Sequence, residues 1–397
     1  MRSRRGVYST TRICYNILMR RLFLLFHGRF PSEKAASLFA GKSAETFAKA
    51  GLKVSILVPR RRGVSPQSAF EYYSLEKNFN IVELPITDFF SWPIPDKIAF
   101  GLNFLAFSRA SYSYLKRQRL KEEDIVYSNE SLPLYFASFL TRSIFYEMHD
   151  FPESKLGIFS LFLKRFKWIL IHNRWKVEQF HKVFPKCSAK IIYEPNAVDL
   201  TEFDLPISKE EARDKLNLPQ DKKIAVYTGH LFGWKGAHIL AEAAKHLSNG
   251  FLVVFVGGTE KDVVGFKEKY GSLPDIKIIG FRPHQEIPIW QKASDFLVLP
   301  NTAKEAISAY YTSPMKLFEY MASKRIIIAS DIPSIREIVD EKSAILVEAD
   351  QPEILAKAIQ DAGGRSGLSV LTEAAFQKVS SHTWKERAKR IIDFTNL

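Results

Sequence analysis

The residues best suited to chemistry lie in one segment, residues 311–330, with the sequence YTSPMKLFEYMASKRIIIAS. Ser313 is predicted to cap a helix with Pro314 at its first position, where the missing proline N–H costs nothing. The amides of Met315 and Lys316 would then point out of the helix start. Together with the positive end of the helix dipole, they predict a site for a diphosphate.

An acidic residue follows on the same helix. Glu319 lies one turn after Lys316 and is predicted to share a face with it. A carboxylate at this place can accept hydrogen bonds from two ribose hydroxyls. The alternative interpretation is a well-capped amphipathic helix that carries an exposed ion pair.

A second candidate is the segment VYTGHLFGWKG at residues 226–236, a strand end followed by a glycine-rich loop and a helix that starts near Lys235. Lys235 would neutralise a diphosphate as a point charge. The loop lacks the GxxxxGK[ST] pattern of a P-loop, and GxGxxG follows none of the strands. A solvated lysine on a flexible loop remains the alternative. Close approach of the backbone is expected at the loop's glycines, Gly229, Gly233 and Gly236.

Two other strand ends carry polar groups. The backbone of Phe281 and Arg282 is placed to pair with the edge of a nucleobase, although an ordinary strand end would look the same. His149 and Asp150 follow an earlier strand and are placed to contact a transferred sugar or its acceptor. Polar tips at the protein surface are the alternative for this pair.

The elements that position these residues alternate between apolar runs and helical patterns. Such spacing predicts parallel sheets with helices on both faces. A polar, turn-rich stretch at 196–206 separates two such sets, so we predict two doubly wound α/β domains facing a cleft, with ligands at the carboxyl ends of the strands. The predicted strands are residues 21–26, 53–59, 80–85, 124–129, 143–148, 168–173, 190–195, 223–229, 251–258, 277–281, 295–300, 325–330 and 343–348.

The predicted domains follow from this pattern. Residues 1–18 form a basic extension, expected to be disordered or to contact a membrane, and Met19 begins the first buried strand. Residues 19–200 form the first domain, and residues 201–379 form the second, which carries the nucleotide site.

Composition narrows the classes of function. The 397 residues are 46% hydrophobic and 25% charged, which is typical of a globular protein, and they carry a net charge of +14. Residues 1–32 contain seven arginines and no acidic residue. This pattern is what contact with an anionic membrane surface needs, and a basic solvated surface is the alternative. Nucleic acid is not expected as a partner, because no reader motif accompanies the charge.

Cysteine usage and hydropathy indicate the compartment. Cys14 and Cys187 form neither a disulfide framework nor a zinc motif. The most apolar stretch, residues 156–171, is interrupted by basic residues, so no transmembrane helix is predicted. With no secretory leader recognisable, we expect a cytoplasmic protein, peripheral on the inner face of the cell membrane.

Taken together, the motifs resemble the bacterial retaining nucleotide-sugar glycosyltransferases of the family-4 type, which have the GT-B fold. The resemblance extends from about residue 19 to the end of the chain, and the pair SPMKLFEYMA and GHLFGWKG is its most specific part. The matching pieces are HGRFPSEKA (27–35), YEMHDFP (146–152), EPNAVD (194–199), GHLFGWKG (229–236), VGGTE (256–260), SPMKLFEYMAS (313–323), SDIPSIREIV (330–339) and WKERAKRII (384–392).

The resemblance implies roles for single residues. It implies that Lys235 binds the donor diphosphate, that Glu319 binds the ribose, and that the backbone at Met315 and Lys316 binds phosphate. It places His149 near the donor sugar and the acceptor, so that His149, Lys235 and Glu319 are the predicted catalytic residues. The predicted donor-binding set is Gly229, His230, Lys235, Phe281, Arg282, Tyr311, Ser313, Met315, Lys316 and Glu319.

The implied reaction is transfer with retention of anomeric configuration to a glycan or lipid-linked acceptor in cell envelope polysaccharide biosynthesis. The leaving diphosphate would take the acceptor's proton on the same face of the sugar. The resemblance also implies that a terminal helix, residues 380–397, packs back onto the first domain. Neither a cofactor nor a metal ion is expected, because the nucleotide sugar is a substrate and the cleft loops lack a DxD-like pair.

The sequence departs from the family pattern in four places. His230 stands where an arginine is usual, and Tyr311 replaces the first glutamate of a Glu-x7-Glu pattern. The SEKA run at residues 32–35 replaces a glycine pair in the first loop, and Ala197 replaces a glycine. Two alternatives therefore stay open. One is a sugar-nucleotide epimerase of the same fold, and the other is a catalytically degenerate protein that binds nucleotide sugars.

Overall fold

A computed structural model of the chain describes residues 20–61, 63, 65–152, 154 and 156–395. The predicted basic extension, residues 1–18, lies outside the described residues. Within them, the strands form two separate sheets, and every strand pairing in both sheets is parallel.

The first sheet contains seven strands among the described residues, in the order β3-β2-β1-β4-β5-β6-β7. Its interior strands are apolar runs buried on both faces, as a parallel sheet covered by helices requires. The strands are β1 (Arg21–Leu25), β2 (Lys53–Pro59), β3 (Asn80–Leu84), β4 (Ile125–Ser128), β5 (Ile144–Met148), β6 (Trp168–Ile171) and β7 (Lys190–Tyr193).

The second sheet contains six described strands, in the order β10-β9-β8-β11-β12-β13. As in the first sheet, the strand that comes first along the chain lies in the interior of the sheet. The strand order reverses its direction next to this strand. The strands are β8 (Lys223–Thr228), β9 (Phe251–Val256), β10 (Ile276–Gly280), β11 (Phe296–Leu299), β12 (Ile326–Ser330) and β13 (Ile345–Val347).

Helices connect the strands and cover both faces of each sheet. Several begin at side-chain caps, and two of these are capping boxes, Ser208 with Glu211 and Thr259 with Asp262. The described helices are α1 (Ala35–Lys49), α2 (Ala69–Tyr72), α3 (Asp96–Arg117), α4 (Ser131–Ala137), α5 (Leu156–Leu163), α6 (Arg174–Val183), α7 (Leu200–Phe203), α8 (Lys209–Leu216), α9 (Ala237–Ala244), α10 (Glu260–Tyr270), α11 (Ile287–Lys292), α12 (Met315–Ala322), α13 (Pro333–Arg336), α14 (Pro352–Gly364), α15 (Ser369–Val379) and α16 (Trp384–Thr395).

Each sheet has one apolar core on either face. In the first domain, α1, α2 and α16 pack on one face, and α3, α4, α5 and α6 pack on the other. In the second domain, α12 and α15 contribute to one core, and α9, α10 and α14 contribute to the other. Two doubly wound α/β domains of the Rossmann type, as predicted from the alternation of elements, are therefore confirmed.

The last helix belongs to the core of the first domain although it follows the second domain in sequence. Ala388 and Ile391 of α16 are buried with residues of α1 and the first sheet. The chain returns there through a parallel bridge between Val198 and Thr383. Arg390 of α16 also forms a bidentate ion pair with Glu194, at 2.7 and 2.6 Å.

Across the described ranges, helices long and apolar enough to cross a bilayer are not found. The longest helix, α3, spans 22 residues but contains charged and polar side chains along its length.

The loop after β8 depends on a glycine, which gives a first prediction. Gly236 has φ +72°, and a Cβ there would lie 1.7 Å from the carbonyl oxygen of Pro300. Gly236→Ala should therefore lower the free energy of unfolding by roughly 2 kcal/mol or more. Gly265→Ala is the matched control, because Gly265 lies in exposed α10 with open space around it. That control should raise stability by roughly 0.5–1 kcal/mol.

Urea unfolding followed by circular dichroism measures both variants in the same domain. Equal midpoints for Gly236→Ala and the wild type would contradict the close approach of the loop to Pro300.

Candidate active site

A cleft of about 700 Å³ lies between the two domains, at the carboxyl ends of both sets of strands. In parallel α/β sheets this is the edge where ligands bind. All the residues predicted for the site line this cleft: His149, Gly229, His230, Lys235, Phe281, Arg282, Tyr311, Ser313, Met315, Lys316 and Glu319.

The start of α12 differs from the prediction in one respect. Ser313 does not cap the helix, and Pro314 is the cap residue, with an extended backbone at φ −73° and ψ 115°. The reason is a contact between domains, because Asn196 of the first domain donates its side-chain amide to the carbonyl of Ser313. Met315 is the first helical residue. The amides of Met315 and Lys316 still belong to the first turn, which has no acceptors within the helix.

Two ammonium groups lie at the second-domain wall of the cleft. Lys316 Nζ is buried, lies 3.7 Å from the centre of the Tyr227 ring, and has no hydrogen-bond partner among the described residues. Burial and the charge of Lys235 hold the pKa of Lys316 well below its usual range. Burial also lowers the pKa of Lys235 to about 8. Two desolvated amino groups that form no salt bridge among the described residues are costly to charge, so this wall is suited to bind a multiply charged anion.

The loop after β8 brings backbone close to these lysines. Gly229 has φ +116°, and a Cβ there would lie 3.6 Å from Lys316 Nζ. The ring of His230 stacks on Phe232 at 4.9 Å. Burial and Lys235 lower the pKa of His230, so the imidazole is neutral near pH 7. Gly233, in contrast, approaches only a side-chain atom of Glu305 at 3.8 Å, so close backbone approach does not explain it.

The carboxylate of Glu319 lies further along the same wall. Burial raises its pKa, while His284 and Lys316 act in the opposite direction. His284 lies 3.4 Å from Glu202 and also lines the cleft. Burial acts against charge on His284, but the Glu202 carboxylate raises its pKa. Glu319 therefore lies between His284 and Lys316. Its carboxylate oxygens can accept hydrogen bonds from hydroxyl groups.

The predicted base-recognition residues lie at the end of β10. Phe281 is exposed, and the Arg282 side chain donates to the carbonyl of Phe281 at 2.9 Å. Both line the cleft beside Gly257 and Gly258, which have φ +121° and +93°. A Cβ on Gly257 would lie 2.5 Å from the carbonyl oxygen of Gly229, so this glycine is required by the close packing of the two loops.

On the first-domain wall, His149 belongs to a buried cluster. Its Nε2 lies 3.2 Å from Glu147 Oε1, and its ring packs edge-on against Phe39. Arg387 of α16 donates to the same Glu147 oxygen at 2.7 Å, with both side chains buried. Burial alone would raise the pKa of Glu147, but Arg387 and His172 hold it well below its usual range.

A second histidine and a lysine complete this cluster. His172, at the end of β6, lies with Nε2 2.7 Å from Glu147 Oε1 and with Nδ1 3.1 Å from Asn196 Oδ1. Lys176 is buried and donates to the carbonyl of His149 at 2.8 Å. Burial lowers the pKa of Lys176 to about 8. Contacts with Glu147, Phe39 and Lys176 therefore hold His149 in place.

The cluster contains a set of potential metal ligands. One atom each of Glu147, His149 and His172 lie within 4.8 Å of one another. However, Arg387 already pairs with the Glu147 oxygen, and the Lys176 ammonium adds a second positive charge. These charges oppose a cation at this place, so the donor set fits a hydrogen-bonded cluster better than a metal centre.

Tyr311 lies at the junction of the domains. Its ring packs on Trp175 of the first domain, with ring centres 4.6 Å apart. Tyr310 stacks on the same indole at 5.8 Å. Tyr311 lines the cleft as predicted for a donor-site residue, but its ring is engaged by the other domain.

Sequence reasoning missed several residues of the cluster. His172 follows a strand in the same way as His149, so the rule that found His149 also applies to it. His284 comes two residues after Arg282, in the same strand-end turn. Glu147 and Arg387 gave no such signal, because their pairing joins positions 240 residues apart.

Comparison with known proteins agrees with this geometry. Residues 208–363 match the family model "Glycosyl transferases group 1". A Bacillus subtilis protein named as a glycosyltransferase of teichuronic acid biosynthesis, TuaC, is 29% identical over 153 residues, 38% of this chain and 36% of that protein. A D-inositol 3-phosphate glycosyltransferase of Corynebacterium urealyticum is 22% identical over 385 residues, 90% of this chain and 89% of that protein.

The extent of these matches varies. The chain spans 36–55% of the length of three of the curated relatives that it matches. Among solved structures, HepE of Anabaena in complex with UDP and glucose superposes with a TM-score of 0.72 at 16% identity. That alignment covers 95% of this chain and 99% of HepE.

The two facing Rossmann-like domains and the cleft between them define the GT-B fold. Within this fold, the stretch of the second domain from α8 to α14 is the part of the chain that matches the family model of group 1 glycosyl transferases.

The buried pair of Arg387 and Glu147 gives a second prediction. Arg387→Met should lower the free energy of unfolding by about 3–5 kcal/mol, because it leaves the Glu147 carboxylate buried without its cation. Adding Glu147→Gln should recover part of this loss, because the double variant removes both charges. Lys389→Met is the matched control, since Lys389 is exposed on the same helix.

Thermal unfolding compares the four proteins. If Arg387→Met were no less stable than Lys389→Met, the described pairing of α16 with Glu147 would be wrong.

Proposed function

We propose that the protein transfers a sugar from a nucleotide-diphosphate-sugar donor to a glycan or lipid-linked acceptor, with retention of anomeric configuration. The observation that carries the proposal is the lysine pair of the second domain. Lys316 Nζ is buried without a hydrogen-bond partner among the described residues, and Lys235 lies beside it with a lowered pKa. Both adjoin the first turn of α12.

The donor is assigned from the charges along the wall. The diphosphate lies against Lys235, Lys316 and the first amides of α12, where the helix dipole adds to the two cations. The ribose hydroxyls donate to Glu319, and the base lies along the backbone at Phe281 and Arg282. In this proposal the phosphates, the ribose and the base lie in that order along one wall of the cleft.

In transfer, negative charge develops on the leaving diphosphate. Lys235 and Lys316 are fixed in a desolvated site, so their attraction for that charge strengthens as it develops. The sugar would lie between this wall and His149 of the first domain. The diphosphate takes the acceptor's proton on the same face of the sugar, which gives retention without a covalent intermediate. The proposal includes neither a metal ion nor a cofactor.

The acceptor and location are also proposed. Support comes from the name of the TuaC relative, which refers to teichuronic acid biosynthesis, and from the net charge of +14. We infer a role in cell envelope polysaccharide biosynthesis, in the cytoplasm, at the inner face of the membrane.

Donor binding is tested first by thermal unfolding with UDP, GDP, ADP and their common sugar conjugates. A ligand at 100 times its dissociation constant adds about 2.7 kcal/mol. At roughly 2–4 °C per kcal/mol, the shift is easily measured.

Product analysis by NMR then determines the anomeric configuration. An inverted product would contradict retention, a new nucleotide sugar formed without acceptor would indicate an epimerase, and binding without turnover would indicate a degenerate protein.

Lys235 gives a third prediction. Lys235→Ala should lower the rate of transfer by about 10²–10³, because it removes one charge that stabilises the leaving diphosphate. The pKa of about 8 also sets a pH dependence. Below this pH the ammonium is charged and binds the donor. Above it the charge is lost, so donor affinity should fall as pH rises through about 8.

Lys235→Arg is the matched control, because a guanidinium stays charged over this range. Its donor affinity should therefore fall less than that of the wild type between pH 7 and about 9, with any remaining change due to Lys316. A nucleotide sugar is the ligand of choice, since its diphosphate does not titrate there. A pH profile that is the same in wild type and Lys235→Arg would show that Lys235 is not the titrating group.

A further inference from the structure

The outer surface of the first domain is unusually apolar. Ten of the eighteen large apolar side chains that are exposed among the described residues lie between residues 90 and 161. They belong to the turn before α3, to α3 itself, to the end of α4 and to α5. These ten are Phe90, Trp92, Ile98, Phe100, Leu102, Leu105, Phe139, Leu156, Ile158 and Leu161, which we call the apolar face.

Helix α3 is apolar on its outer side as well as on its core side. A surface helix normally buries its apolar stripe and exposes polar residues. In α3, the core side contributes Phe107 and Leu115 to the core of the domain. The outer side carries Ile98, Leu102 and Leu105, spaced four and three residues apart, which places them in one stripe along the helix.

Helix α5 has the same character over a shorter length. Phe159 and Leu163 are buried in the core of the domain. Leu156, Ile158 and Leu161 remain exposed, with Ile158 at 56%. The helix is therefore apolar on both sides, although only one side packs on the sheet.

These elements form one continuous surface. Helices α3, α4 and α5 all pack on the same face of the first sheet. The α4 and α5 helices are joined by stacking of Tyr135 on Phe162, with ring centres 4.4 Å apart, and Arg165 lies 4.2 Å from the ring of Phe139. Since the loops that precede α3 and α5 follow the carboxyl ends of β3 and β5, the face reaches the edge of the sheet that lines the cleft.

Most of the charge around the apolar face is positive. Helix α3 carries Lys97, Arg109, Lys116 and Arg117 but a single acidic residue, Asp96. Residues 156–167 contain three basic residues and no acidic one. An apolar surface bordered by lysine and arginine is complementary to a bilayer with anionic headgroups, where apolar side chains enter the acyl boundary and cations remain at the headgroups.

We propose that the apolar face docks the protein on an anionic membrane surface, with the cleft turned toward the lipid headgroups. The docking rests only on the surface described here. Its consequence, that the acceptor is presented from the membrane, rests on the proposed function. A phospholipid surface explains both the apolar stripe and the basic border, whereas a second copy of this chain would have to accommodate like charges.

The test is co-sedimentation of the full chain with phosphatidylcholine vesicles, with and without phosphatidylglycerol. The wild type should bind only the anionic vesicles, and binding should weaken as salt is raised. Leu102→Gln combined with Leu105→Gln should lower the partition coefficient by about tenfold or more. Ile354→Gln combined with Val370→Gln is the matched control, because these exposed residues lie in the second domain. The control should bind as the wild type does.

A charge variant tests the border. Lys97→Glu with Arg109→Glu should lower binding by about fivefold or more for each position. Lys261→Glu with Lys357→Glu changes the net charge equally on exposed helix positions of the second domain and should bind as the wild type does. Equal binding to neutral and anionic vesicles, or equal loss in the control pairs, would overturn the proposal. It would also be overturned if the wild type dimerised in solution through this face and ignored vesicles.

The readouts separate this proposal from the proposed function. Nucleotide-induced thermal shifts in the same variants report the donor site, which the substitutions do not touch. Loss of vesicle binding with unchanged nucleotide shifts supports docking through the apolar face. If the protein bound vesicles but showed no thermal shift with any nucleotide, the result would support docking and contradict the proposed donor site.

Discussion

The structure is organised around two lysine amino groups in the cleft that form no salt bridge among the described residues. Lys316 is buried against the ring of Tyr227 at the start of α12, and Lys235 lies at the mouth of the loop after β8. Keeping such charges out of water costs free energy, and proteins tolerate this cost where function requires it. The glycines around the lysines, the free amides of the first helical turn and the carboxylate of Glu319 all make sense as parts of a site for a nucleoside diphosphate.

The first domain contributes the opposite wall, and the end of the chain holds it in place. Helix α16 returns to the first domain and inserts Arg387 against Glu147, which in turn contacts His149 and His172. At the cleft, Trp175 packs on Tyr311 and Asn196 binds the carbonyl of Ser313. The two walls are thus linked by specific contacts. A sugar held between the lysines and His149 would be excluded from much of the solvent, which strengthens the electrostatic interactions.

The sequence predicted the fold well because buried parallel strands are short apolar runs, and every strand of both sheets lies within or next to a predicted range. The residues that it predicted at strand ends and helix starts line one cleft, since such positions can be read locally. It misplaced the helix cap, because Asn196, 117 residues away, decides how Ser313 is oriented. It missed Glu147 and Arg387 because their contact also joins distant segments. One of its alternatives treated Lys316 as exposed, whereas the Nζ of Lys316 is buried. Local sequence patterns do not contain the contacts between distant segments, so these contacts could not be predicted.

We infer that Lys316 is kept buried and unpaired in order to bind the donor. The most direct test is Lys316→Met, compared with wild type and with Lys261→Met as an exposed control. Thermal unfolding without ligand and titration with UDP, GDP and ADP are measured on the same samples. We expect Lys316→Met to be more stable than wild type by about 1–3 kcal/mol, because a buried amino group without a hydrogen-bond partner is removed. We also expect at least roughly tenfold weaker binding of the nucleoside diphosphate. A variant that is less stable than wild type and binds the nucleotide with unchanged affinity would contradict this role of Lys316.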